Sequence, residues 1–265
     1  MGIVGWHRVY FCAVGSFALW VGIWGYLMPT DVVRALPWEV PPLHARFIGS
    51  MYLSGTALML GGLLTLRRSD VRVALWMAAI WTGMLLIVSL IHLGEFDFGH
   101  RPVWFWFAAY IVYPIAGAWL AWRHAVPPGE RSAEAPPGWL KAYLFVQGIV
   151  CIILAAALFL APEFMVSLWP WKIPVLLAQI YSGPFISYGI GSLLTARQAR
   201  LVDMRIARIS MFVFALLVLA ASIIHRPVFG EIGTAATIWF AGFGVVTVVL
   251  ALASLVAIRS AKARA

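Results

Sequence analysis

Charge is what this chain has least of. Only 11% of its 265 residues are Asp, Glu, Lys or Arg, against roughly 25% in ordinary soluble domains. Residues 9–30, 47–66, 73–91, 142–162, 175–195, 209–224 and 232–258 hold none of these four residue types and no histidine. About 20 apolar residues in a helix cross a hydrocarbon core of roughly 30 Å. A soluble core is thereby excluded, and an integral membrane protein with several spans is expected.

Other absences narrow the chemistry. No carboxylate sits inside any span, so the proton or sodium relay of a driven transporter is missing. No lysine lies in the membrane interior for a Schiff base, since Lys141 stands at the very start of its span. P-loop, paired zinc, GxSxG and CxxCH motifs do not occur. The two cysteines, Cys12 and Cys151, fall at different depths in apolar segments and make poor disulfide partners. They therefore say little about redox compartment.

The apolar segments predict eight spans, at 9–28, 44–66, 72–92, 103–122, 140–161, 175–196, 205–225 and 233–258. The loops between them sort by charge. One side holds fourteen of the nineteen Lys and Arg residues, and the other only Arg34, Arg46, Arg101, Lys172 and Arg226. The positive-inside rule makes the rich side cytoplasmic, with both termini on it, and the expected location is the cytoplasmic (inner) membrane. The formal net charge of +9 is then explained by topology and anionic lipid, and nucleic acid is not expected as a partner. The lipid bilayer is the expected partner, with other membrane subunits as further candidates.

Shifted by 133 residues, the sequence matches itself without a gap. "LPWEVPPLHAR" (36–46) falls on "WPWKIPVLLAQ" (169–179), "SLIH" (89–92) on "SIIH" (222–225), and "WFA" (106–108) on "WFA" (239–241). The matches include Trp, Pro and His, which apolar similarity alone does not repeat. The expected fold is thus an all-α polytopic membrane protein of eight transmembrane helices, in two parallel pseudo-symmetric four-helix repeats. Residues 1–123 form the first unit, 124–139 a Pro-rich cytoplasmic linker, and 140–265 the second. Residues 9–28 align with the fifth span, so they are read as part of the fold and not as a cleaved leader.

Candidate site residues gather at the expected external face. The loops "PTDVVRALPWEVPP" (29–42) and "PEFMVSLWPWKIP" (162–174) each carry a Pro-Trp pair, Trp38 and Trp171. Each is read either as a lid over a site or as an interfacial segment that locks two helices together. Arg46 starts the second span, and Gln179 takes its place in the second unit. The arginine either snorkels to the boundary or meets an anionic group inside the bundle.

His92 and His225 end equivalent spans. A histidine there either caps free helix carbonyls or serves as a ligand or proton group. Its expected partners are Arg46, Glu95 and Asp97 for His92, and Gln179 or Glu231 for His225. His92, Glu95, Asp97 and His100 also have the ligand types of a divalent metal site, though in no known spacing. A haem between His92 and His225 would lack a second histidine pair below it.

The composition names no cofactor. The functional expectation is a binding or accessory membrane protein, or a subunit of a larger membrane complex, without evident turnover. It would hold an apolar ligand, lipid or quinone-like, under the Pro-Trp loops. Its ligand-binding residues would be His92, His225, Arg46, Gln179, Trp38, Trp171, Glu95 and Asp97. The alternatives are a small-molecule transporter and a membrane metallo- or haem enzyme built on the His92 loop.

Overall fold

The computed structural model describes residues 3–65, 68–123, 135–198, 200–231 and 233–262. Among the described residues there are helices and no strands. The long helices are α1 (Ile3–Leu27), α2 (Pro42–Leu64), α3 (Arg68–Ile91), α4 (Arg101–Arg123) and α5 (Gly138–Leu160). The short α6 (Pro162–Leu168) follows, then α7 (Val175–Ala196), α8 (Arg205–Ile224) and α9 (Thr234–Lys262). Most of the predicted linker, 124–134, lies outside the described residues.

Seven of these helices are long and apolar enough to cross a membrane: α1 to α5, α8 and α9. Large apolar side chains on them stay exposed, among them Trp20, Leu60, Ile115, Ile153 and Ile238. Water would not tolerate such a surface, and lipid accepts it. The chain is a multi-pass membrane protein on this ground.

The sequence reading expects α7 as a further span, and its 22 residues are long enough. It is not among the seven. The reason lies in its side chains: Gln179, Tyr181, Ser182, Ser187, Tyr188, Ser192 and Thr195 dilute its apolarity, and all are buried. Its polar groups answer to protein neighbours and not to lipid.

Packing sorts the helices into a centre and a periphery. α2 packs on α8, and α3 packs on α7, so these four form the middle of the bundle. α1 lies against α2, α4 against α3, α5 against α7, and α9 against α8. Burial follows: 61% of the most apolar window of α2 is inside, but only 11% of that of α9. Small residues permit the central contacts. A Cβ on Gly61 would meet Ile206 of α8, and one on Gly191 of α7 would meet Met77 of α3.

The two Pro-Trp loops fold differently. Pro29–Arg34 forms a 3-10 turn, and Pro162–Leu168 forms the α6 helix. In each, proline starts the element, where its missing N–H costs nothing. Pro114 and Pro184 lie inside α4 and α7.

Candidate functional site

His92 and His225 sit just past the last residues of α3 and α8, where each begins a 3-10 turn. Their backbone N–H groups close the helices by donating to the Val88 and Ala221 carbonyls, both at 3.0 Å. Neither side chain makes a cap hydrogen bond. The rings turn inward, each to a side chain on a central helix.

The partners are crosswise. His92 Nε2 lies 2.5 Å from Gln179 Oε1 on α7. His225 Nε2 is hydrogen-bonded by Arg46 Nη1 on α2. The sequence reading pairs these residues within each half of the chain, and that pairing is corrected here. The physical reason is the packing of α3 on α7 and of α2 on α8. The second helix of each half thereby meets the third helix of the other.

The two contacts have opposite polarity. The Gln179 amide nitrogen donates to the Phe159 carbonyl at 2.9 Å, so Oε1 is the acceptor and His92 Nε2–H the donor. A guanidinium only donates, so His225 Nε2 is an acceptor, and the proton of its neutral ring is on Nδ1. Burial first, and the Arg46 charge second, push the His225 pKa below its ordinary value.

The loop after His92 does not gather around it. Asp97 Oδ1 accepts from the Gly99 N–H at 2.8 Å and shapes its own turn. His100 Nε2 donates to the Val33 carbonyl at 3.2 Å, tying this loop to the first Pro-Trp loop. Glu95 is exposed. Among the described residues, no three His, Cys, Asp or Glu side chains come together in a group that could hold a metal ion.

The Pro-Trp pairs are locked into the bundle. Trp38 packs edge-on against Trp106 and Phe96, with ring centroids 5.0 and 5.4 Å apart. Trp171 packs in the same way against Trp239 and Phe229, at 4.8 and 5.3 Å. The supporting indoles are held alike. Trp106 Nε1 donates to Ser89 Oγ at 2.8 Å, and Trp239 Nε1 to Ser222 Oγ at 2.9 Å. Every one of these residue pairs is separated by 133 positions from its counterpart.

Deeper in the bundle, serines stitch the central helices in the same crosswise manner. Ser210 Oγ donates to the Ser54 carbonyl and Ser187 Oγ to the Met77 carbonyl, both at 2.8 Å. The sequence reading missed this layer, and it missed the buried contact of His44 Nδ1 with the Tyr181 hydroxyl at 3.1 Å. Repeated serines at 54 and 187 were the available signal.

A large apolar space lies away from the histidines. A cleft of about 530 Å³ opens among α5, α7, α8 and α9 and runs below the loop of α6. Trp169 and Pro170 line it at the end where the Pro-Trp loops lie. Gln147 of α5, Tyr188 of α7 and Met211 of α8 line it farther along. Arg46, His92, Gln179 and His225 do not line it.

The corresponding place in the first half is closed. There α1 and α4 meet, and Tyr10 donates its hydroxyl to the Tyr113 carbonyl at 3.1 Å. α5 and α9 have no comparable contact, and the Tyr143 hydroxyl, in the place of Tyr10, has no hydrogen-bond partner among the described residues. The cavity there, beside Val14, Tyr52 and Tyr110, measures about 40 Å³.

Searches against protein-family profiles, curated proteins and solved structures found no match to the chain.

Proposed function

We propose that this protein binds an apolar molecule, lipid or quinone-like, in the cleft between α5 and α9, as an accessory protein or subunit of a membrane complex. The cleft carries the reading: its volume of about 530 Å³ is of the size of small-molecule sites, and its walls are apolar and aromatic. Such walls suit a ligand drawn from the bilayer. Charged substrates find no groups there to meet them.

The proposal has an architecture. Eight spans, with α7 counted among them, form two equivalent four-helix units, 1–123 and 140–265, joined by 124–139. The gap-free offset and the crosswise contacts support this: exchanging the two halves turns His92–Gln179 into His225–Arg46, and Ser54–Ser210 into Ser187–Met77. That pattern is what a two-fold relation produces. Both termini are cytoplasmic in this reading, and the Pro-Trp loops face outward from the inner membrane. The cleft then opens in the outer half of the bilayer. His92, His225, Arg46 and Gln179 act as a clasp that fixes the two units, and Trp38 and Trp171 anchor the loops above.

Native mass spectrometry of the detergent-purified protein tests the reading. A bound apolar molecule should be retained by the wild type and lost from Gly242→Phe. Gly242 lines the cleft, and a Cβ there meets nothing within 4 Å, so the new ring fills the space without displacing backbone. A bare wild-type chain, or retention unchanged in the variant, would overturn it.

A further inference from the structure

The cleft is apolar but not featureless, and one of its groups is left wanting. Gln147 is an amide in the middle of α5, where the first half of the chain has Val14. Its nitrogen donates to Ser192 Oγ at 3.0 Å and approaches Met211 Sδ at 3.4 Å. These contacts orient the amide and leave Oε1 as the free atom. That oxygen is buried and has no hydrogen-bond partner among the described residues. Lipid chains offer nothing to satisfy it.

An acceptor calls for a donor. Gln147 lies 9 residues after the start of α5 and 13 before its end, about 14 and 20 Å along the helix axis, and its oxygen is shielded from water by the side chains around it. Around it the walls are ring-shaped in their preference. Tyr188 and Phe214 stack at 5.2 Å with an interplanar angle of 26°, and Met211 adds a thioether, a group that favours aromatic neighbours. Both rings and the thioether line the cleft.

We infer that the cleft takes a lipid headed by a hydroxylated aromatic ring, a prenylated phenol or hydroquinone, whose hydroxyl donates to Gln147 Oε1. This rests on the proposed binding reading and adds the chemical class to it. The ring lies against the Tyr188–Phe214 wall. The tail runs along the apolar cleft toward Trp169 and the gap between α5 and α9. A fully oxidised quinone has only carbonyl acceptors and would leave the Gln147 oxygen unsatisfied, so the site favours the reduced, hydroxyl-bearing form. No electron transfer is implied.

Decyl hydroquinone and its dimethyl ether separate the alternatives, since the ether keeps the ring, the oxygens and the tail but has no donor; the bulk of its two methyl groups is controlled by the same comparison in the Gln147 variant. Binding to the delipidated full chain in detergent is measured by calorimetry under anaerobic conditions. The hydroquinone should bind about tenfold or more tightly than the ether. Gln147→Val, which installs the residue of the first half, should bring the two to equal affinity. Equal binding to the wild type overturns the hydroxyl inference and leaves the apolar-ligand reading standing. A preference that survives Gln147→Val overturns the role of Gln147. Binding of neither probe, with a phospholipid or a second copy of the chain retained on the protein, overturns both. If Gln147→Val fails to fold, the wild-type comparison alone still decides whether a donor is required.

Discussion

Arg46 reaches His225 from another helix 179 residues away in sequence, and it does so as a donor. His225 must therefore be neutral at Nε2 to keep the contact. A second proton would put two cations face to face in a half-buried place.

The consequence is a pH dependence with a definite sign. The folded pKa of His225 is lowered, by burial first and by Arg46 second. Between that value and the ordinary histidine value of about 6.5, the unfolded chain binds more protons than the folded one. Stability from this group is present above about pH 6.5 and is lost as pH falls toward the folded pKa. Thermal unfolding in detergent should show a midpoint that drops on acidification through this range. Arg46→Gln should drop less, because the burial cause remains and the charge cause is gone. An equal or steeper drop in the variant would contradict the assignment.

His92 should couple to Gln179 and not to Arg46. Double-mutant cycles with alanine read this from unfolding free energies. The His92–Gln179 cycle should return about 1 kcal/mol, typical of a hydrogen bond. The cycle of His92 with Arg46 should be additive within about 0.5 kcal/mol. Coupling within the first half alone would refute the crosswise arrangement.

Glycines mark where backbones touch. A Cβ on Gly49 would lie 2.7 Å from the Gly25 carbonyl carbon, and closer still to the Tyr26 nitrogen. Neither backbone can yield without moving α1 from α2. Gly49→Ala should cost about 1–3 kcal/mol, as overpacking does. Gly242→Ala, with nothing within 4 Å, should be tolerated and gains helix propensity. Chemical or thermal unfolding of the two variants distinguishes them.

The proposed orientation, with the Pro-Trp loops outside, can be read by labelling. In a background without Cys12 and Cys151, Asp97→Cys should react with an impermeant maleimide added outside intact cells, and Arg131→Cys should not. The reverse pattern would invert the proposed topology.

Some of this was legible in the sequence because the bilayer imposes a length on every apolar run. The 133-residue offset, which sets SLIH (89–92) on SIIH (222–225), made His92 and His225 counterparts in the sequence. Hydropathy is silent about neighbours, however, so it could not tell that Arg46 meets His225 and Gln179 meets His92. Proximity in sequence suggested Glu95 and Asp97 instead, and those side chains are spent on turns or exposed. The cleft was invisible for a related reason. It arises because α5 and α9 do not close as α1 and α4 do, and a few side chains such as Tyr10 decide that closure in three dimensions. Gln147 alone gave a hint, as a solitary amide in a run otherwise apolar. α7 shows the converse: its serines and tyrosines lower its hydropathy and record that it is surrounded by protein.

The thin attachment of α9 sets an order of events for the molecule under load. Only 11% of its apolar window is inside the bundle, and it leans mainly on α8. A pull on the chain from its C-terminal side would peel this helix away first, while the four middle helices held together. The cleft would lose one wall before anything else failed. Opening of the cleft therefore need not wait for the protein to unfold: α9, which forms one of its walls, is also the least buried of the seven apolar helices.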